Sequence, residues 1–182
     1  MPDLASVLEQ ARVPEHSAPF MQAMSQGTAF LEGEYLFLTA DDWLMAIGYP
    51  LSGEYAHDSF ERALAAALRR VPKRLEGVDC WAIGPDLPAR LAGHVTDRDT
   101  FYILPCDAPV PARLRRPVET AAEKLTVREG RDFTPAHRRL WAEFMNRAVL
   151  PPNVRGLFAR TGAVLDTPGL RLLDAVDAEG NL

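Results

Sequence analysis

Two short runs constrain this chain more than anything else in it. Residues 35–39 (Tyr-Leu-Phe-Leu-Thr) and 43–47 (Trp-Leu-Met-Ala-Ile) are apolar at successive positions, with only Ala40-Asp41-Asp42 between them. A strand sends alternate side chains to opposite faces, so an unbroken apolar run needs cover on both. The spacing predicts a tight hairpin inside a sheet with helices on each side. Helical stripes occur before and after this pair in the sequence. Residues 3–11 carry Leu4, Val7, Leu8 and Ala11 behind a capping Asp3. A short helix from Pro19 to Gly27 presents Phe20, Ala23 and Met24. Residues 58–71, capped by Asp58 or Ser59, carry Phe60, Leu64, Ala67, Leu68 and Val71.

Further strands are expected at 78–83 and 100–104, with a short helix opened by Pro85 between them. Residues 105–117 hold four prolines and read as a connector, dividing a part over 1–110 from a part over 111–182 packed against it as one globule. In the second part Pro117 opens a helix to Lys124 with Val118, Ala121 and Ala122 inward. A strand over 125–128 follows. Thr134-Pro135 starts a long helix through Leu140, Trp141, Phe144 and Met145, and Pro151-Pro152 breaks it. A shorter helix over 153–160 leads to a strand over 170–176 and a turn at 177–181. The fold class is α/β (α+β), a mixed, largely antiparallel sheet with helices on both faces.

No apolar run reaches the ~20 residues of a membrane helix, so the expected address is cytoplasmic, with no membrane span. Cys80 and Cys106 lack metal or redox spacing and are expected to be buried thiols, and Trp43, Trp81 and Trp141 to be core. His94, Asp97 and Asp99 sit in a polar loop without a second histidine at ligand spacing, so no metal is expected. Nucleophile-elbow, zinc-peptidase and P-loop signatures are missing, and no catalytic residue is assigned. Tyr49, Tyr55 and His57 are pocket candidates beside the first strand pair.

Charge is distributed unevenly. Residues 1–110 carry 16 acidic and 8 basic side chains, whereas 111–160 carry 11 basic and 5 acidic. Arg113, Arg115, Arg116, Lys124, Arg128 and Arg131 are the candidate anion-binding or substrate-binding residues, since arginine grips phosphate bidentately. Glu119, Glu123, Glu129 and Asp132 are interleaved with them, and surface ion pairing is the competing reading.

The order of elements carries a resemblance. Leu125-Thr126-Val127-Arg128-Glu129, then 133–149, 154–160 and 172–180, run strand, helix, helix, strand, turn. This resembles the opening of the GNAT acyltransferase fold, and residues 35–104 are similar to its later part. The chain resembles one degenerate GNAT-like unit followed by the start of a second. That tandem is found in peptidoglycan-building aminoacyltransferases and in the domain that transfers lysine to phosphatidylglycerol. The resemblance implies an acyl-CoA or aminoacyl-tRNA donor for a longer protein. The family's pyrophosphate loop, Q/R-x-x-G-x-G/A, has as its counterpart residues 49–58, with Gly53 as the usable glycine and carboxylates at Glu54 and Asp58. Amides at a helix N-terminus hold phosphate only if no anion competes, so no cofactor is expected on this chain. The leading expectation is a non-catalytic N-terminal portion of such a transferase. The alternative is a binding module that recognises a partner protein or anionic small molecule through 113–139. The 170–176 strand, ending in a turn, implies a continuation past Leu182 or a homodimer through its edge.

Overall fold

The two apolar runs lie at the centre of a four-stranded sheet. Its strands are β1 (Thr28–Glu32), β2 (Tyr35–Ala40), β3 (Trp43–Ile47) and β4 (Asp79–Ile83), in that order. The first three pair antiparallel, and β4 joins β3 parallel after a helical crossover. The computed structural model describes residues 4–40, 43–71, 79–95, 98, 105, 107–130, 132–150, 152–165, 167 and 170–182. It divides into one unit of Met1–Val95 with Gly156–Pro168 and another of Thr96–Arg155 with Gly169–Leu182. The expected strand at 100–104, Cys106, Asp97, Asp99 and the Asp41-Asp42 connection lie outside the described residues.

Both faces of the first sheet are covered, as the continuous apolar runs require. Tyr35, Phe37, Leu44 and Ala46 pack on Phe60, Ala63, Leu64 and Ala67 of α3 (His57–Arg70). On the other face Ala29, Leu36, Leu38 and Ile47 meet Val7 of α1 (Leu4–Glu9) and Ala18 of α2 (Ala18–Ser25). Leu36, Phe37, Leu38, Leu44, Ile47 and Phe60 are 0% exposed. Each such leucine, isoleucine or phenylalanine contributes about 1.5–3 kcal/mol of burial.

Several local expectations are corrected. β1 is a strand the sequence reading did not place. It joins β2 through the two-residue loop Gly33-Glu34, in which Gly33 takes φ 58° and Glu32 faces Tyr35. A positive φ at the first loop position is what a type II′ hairpin demands. α2 ends on Gln26 in the left-handed conformation (φ 60°), one residue before Gly27. A Cβ on Gly27 would stand 2.5 Å from the Trp43 ring, so Gly27 serves close approach. The residue preceding α3 is Ala56, and Asp58 lies inside the first turn. Ser59 does not cap either, because its hydroxyl donates to the Ala56 carbonyl and pairs with the Tyr35 hydroxyl at 2.7 Å. Trp81 and Cys80 are exposed, since β4 presents most of its length to solvent, and Trp81 stacks on Trp43. The helix expected from Pro85 is a 3-10 turn at Ala89–His94.

The second unit holds α4 (Ala112–Ala122), β5 (Thr126–Gly130), α5 (Pro135–Arg147) and β6 (Leu172–Val176), while α6 (Pro152–Phe158) spans its boundary in sequence. β5 and β6 pair antiparallel from Thr126↔Val176 to Gly130↔Leu172. α4 begins five residues before Pro117, which sits inside it, so Arg113, Arg115 and Arg116 are in the helix and do not precede it. Ala112 to Arg116 are mostly strong helix formers, and the missing Pro117 N–H forgoes one bond, to the Arg113 carbonyl. Val118, Ala121 and Ala122 are exposed and not inward. α5 begins where Thr134-Pro135 predicts. After β6, the Asp177 carboxylate accepts the N–H groups of Glu179 and Asn181, and Gly180 takes φ 82°. No helix among the described residues is long and apolar enough to cross a membrane.

Candidate functional site

The loop between β3 and α3 is where the sequence resemblance puts phosphate chemistry. The β3–β4 ladder does not open there, because the Gly48 N–H donates to the Ile83 carbonyl at 2.6 Å. The Leu51 N–H is committed to the Glu34 carbonyl, and Pro50 has none to give. Two loop carbonyls are held from the N-terminal segment. His16 Nε2 donates to the Tyr49 carbonyl at 2.9 Å, and Arg12 Nη1 donates to the Gly53 carbonyl at 2.5 Å. His16 Nδ1 accepts the Arg12 N–H at 3.0 Å, which fixes the imidazole as the neutral Nε2–H tautomer. Burial pushes the His16 pKa below its ordinary value, outweighing the Tyr49 carbonyl bond that raises it.

Tyr49, Tyr55 and His57 lie in this loop or at the start of α3, each with different partners. Tyr49 is half-buried and meets His16 through its backbone. Tyr55 lies edge-on to His57 at 5.4 Å and tilted against Phe60 at 6.0 Å. Its hydroxyl oxygen is buried without a hydrogen-bond partner, and burial, reinforced by the negative charge of neighbouring groups, pushes its pKa up to about 12. His57 is exposed and pairs with Asp86 at 3.1 Å. The adjoining cavity, about 430 Å³, is lined by Glu32, Glu34, Tyr35, Ser59 and Arg62 together with Pro50, Ser52 and Glu54 of the loop. Of its three carboxylates, Glu32 pairs with Arg70 at 2.8 Å and Glu34 accepts the Ser52 hydroxyl.

The basic candidates divide in the second unit. Arg128 is paired with Asp174 at 3.3 Å, and Arg131 lies outside the described residues. Arg115 Nε approaches the Val110 carbonyl at 3.5 Å, too far to orient it strongly. Arg116 and Lys124 border an open groove of about 540 Å³ floored by Pro117, Ala121 and Leu125. All its lining comes from one helix and the turn after it, so it offers charge at a rim without enclosure.

A cluster that the sequence reading missed joins β5, α5 and β6. His137 Nε2 donates to Asp174 Oδ1 at 2.8 Å, and both residues are buried. His137 Nδ1 accepts the Thr134 N–H at 3.1 Å and lies 2.7 Å from the Thr134 hydroxyl. Phe133 stacks on the imidazole at 5.5 Å. The His137 bond, followed by the Arg128 bond, holds the Asp174 pKa below its ordinary value against the opposing effect of burial. Hydroxyl, imidazole and carboxylate in a row have the order of a nucleophilic relay. Here, however, Nδ1 is already taken by the Thr134 backbone N–H. The row closes a capping box at the start of α5 and ties that helix to β6. The signal was present as Thr-Pro-Ala-His, with histidine where a capping box usually has Glu or Gln.

His94 is exposed at the end of its 3-10 turn, and no group of metal-ligating side chains occurs among the described residues. No family model matches the chain, and no curated protein or solved structure matches it.

Proposed function

We propose that this chain is the N-terminal, non-catalytic portion of a GNAT-like acyl- or aminoacyl-transferase, in which it acts as scaffold and substrate-positioning part. The observation that carries the reading is the topology of the first unit. Three antiparallel strands, a helical crossover and a fourth strand parallel to the third follow two short helices, and further along the chain β5, α5, α6 and β6 run strand, helix, helix, strand. The run β2, β3, α3, β4 is the part of the expected order that supports the reading, β1 adds a strand before it, and the expected helix from Pro85 and strand at 100–104 lend it no support.

The non-catalytic part of the reading rests on the β3–α3 loop. Its amides at Gly48 and Leu51 are spent within the fold. Glu54 stands in the loop and Asp58 in the first helical turn, where a polyanion meets repulsion instead of a cradle. Isothermal titration of the chain with acetyl-CoA is expected to give no saturable heat. Micromolar binding, lost on replacing Gly53 with a β-branched residue, would contradict the non-catalytic assignment.

A further inference from the structure

Helix α4 buries none of its residues. An isolated helix of this length is marginal in water and gains its stability from an apolar face set against something. The α4 face is apolar and exposed, with Leu114 45%, Val118 51% and Leu125 41% exposed. Leu125 belongs to the same surface because its N–H still bonds the Ala121 carbonyl at 2.8 Å.

The order of side chains around the helix identifies what the face meets. At about 100° per residue, Pro117, Ala121, Leu114, Leu125, Val118 and Ala122 form one continuous apolar arc. Arg115 stands at one border of that arc, and Lys124 with Arg113 at the other. Glu119 and Glu123 fall on the opposite side. Arg113, Arg116 and Lys124 have no ion pair among the described residues. Cations at both edges of an apolar face, with carboxylates turned away, suit a flat boundary between hydrocarbon and anionic headgroups. There the alkyl stems lie along the apolar side while the charged ends reach phosphate. A protein groove would instead place its acids against particular cations.

We infer that α4 docks on the surface of an anionic lipid bilayer, its Leu114–Val118–Leu125 face entering the headgroup boundary and Arg113, Arg115 and Lys124 engaging lipid phosphates. The inference stands apart from the transferase reading, whose test concerns the other unit.

Cosedimentation of the full chain with vesicles tests it. The chain is expected to sediment with vesicles of equal parts phosphatidylserine and phosphatidylcholine, and not with phosphatidylcholine alone. Leu114→Ser with Val118→Ser should abolish sedimentation without changing the melting temperature. Arg115→Gln and Lys124→Gln should each weaken it about fivefold. Absence of sedimentation with anionic vesicles, equal binding to both vesicles, or binding that survives the serine pair would overturn the inference. So would a lowered melting temperature in the serine pair, because the face would then be packed within the protein. Binding of soluble polyglutamate through the same residues, without vesicle binding, would assign the face to an acidic protein segment instead.

Discussion

The two units are held together by different physics. In the first, β2 and β3 are covered on both faces, and Leu36, Phe37, Leu38, Leu44 and Ile47 have no solvent contact. In the second, α4 buries nothing, and the buried side chains of the β5–β6 pair are Asp174 and Val176, with His137 beneath them. Val127, Leu173, Leu140 and Phe144 are exposed there. Apolar burial is non-directional and additive over area, so the first unit tolerates no large loss of volume. The second depends on a few directional bonds, each of which is sensitive to the state of one group.

The largest effect that distinguishes them is a core deletion. Phe37→Ala should cost about 3–5 kcal/mol and unfold the first unit cooperatively in a urea titration. A loss under 1 kcal/mol would break the comparison. Gly48→Ala comes next. Its new Cβ would stand 3.0 Å from the Ile83 carbonyl and 3.3 Å from Gly84 Cα. A loss of about 1–3 kcal/mol is expected, read as a lower urea midpoint.

Acid should separate the units by pH. Folded His16 disfavours its proton, so the unfolded chain binds more protons below the ordinary value of 6.5, and first-unit stability falls as pH drops through that value. Asp174 is displaced in the same direction but from a lower starting value, a carboxylate held below 3.8, so its contribution is present above 3.8 and is lost only under stronger acid. Amide exchange across this range should show β2 and β3 weakening first on account of His16, and His16→Gln should remove that step. Smallest of all, Leu140→Ser on exposed α5 should change stability by no more than about 0.5 kcal/mol in thermal melts.

The first unit was legible because its signals are local. The unbroken apolar runs at 35–39 and 43–47 dictate two-sided cover, and the stripe of Phe60, Leu64 and Ala67 supplies one side of it. β1 escaped because Thr-Ala-Phe-Leu-Glu is short and its meaning lies in the Gly33-Glu34 turn that follows. The second unit was less legible because its cohesion is not periodic. His137 and Asp174 are 37 residues apart in sequence, and only the fold brings them to 2.8 Å. On α4 the sequence pattern implies inward positions because an apolar stripe usually faces a core, and here the stripe is exposed. Arg128 reads in sequence as a candidate anion-binding residue because its partner Asp174 is still farther away, 46 residues along the chain. At the β3–α3 loop the carboxylates were visible in sequence, whereas the hold of His16 and Arg12 on its carbonyls was not.

Amide shift mapping of the isotope-labelled chain titrated with coenzyme A tests the reading of that loop most directly. Residues 48–58 are expected to keep their resonances unmoved at ligand excess. Saturable shifts confined to those residues would mean that the loop holds a pyrophosphate after all, and that this part of the chain is a working donor site.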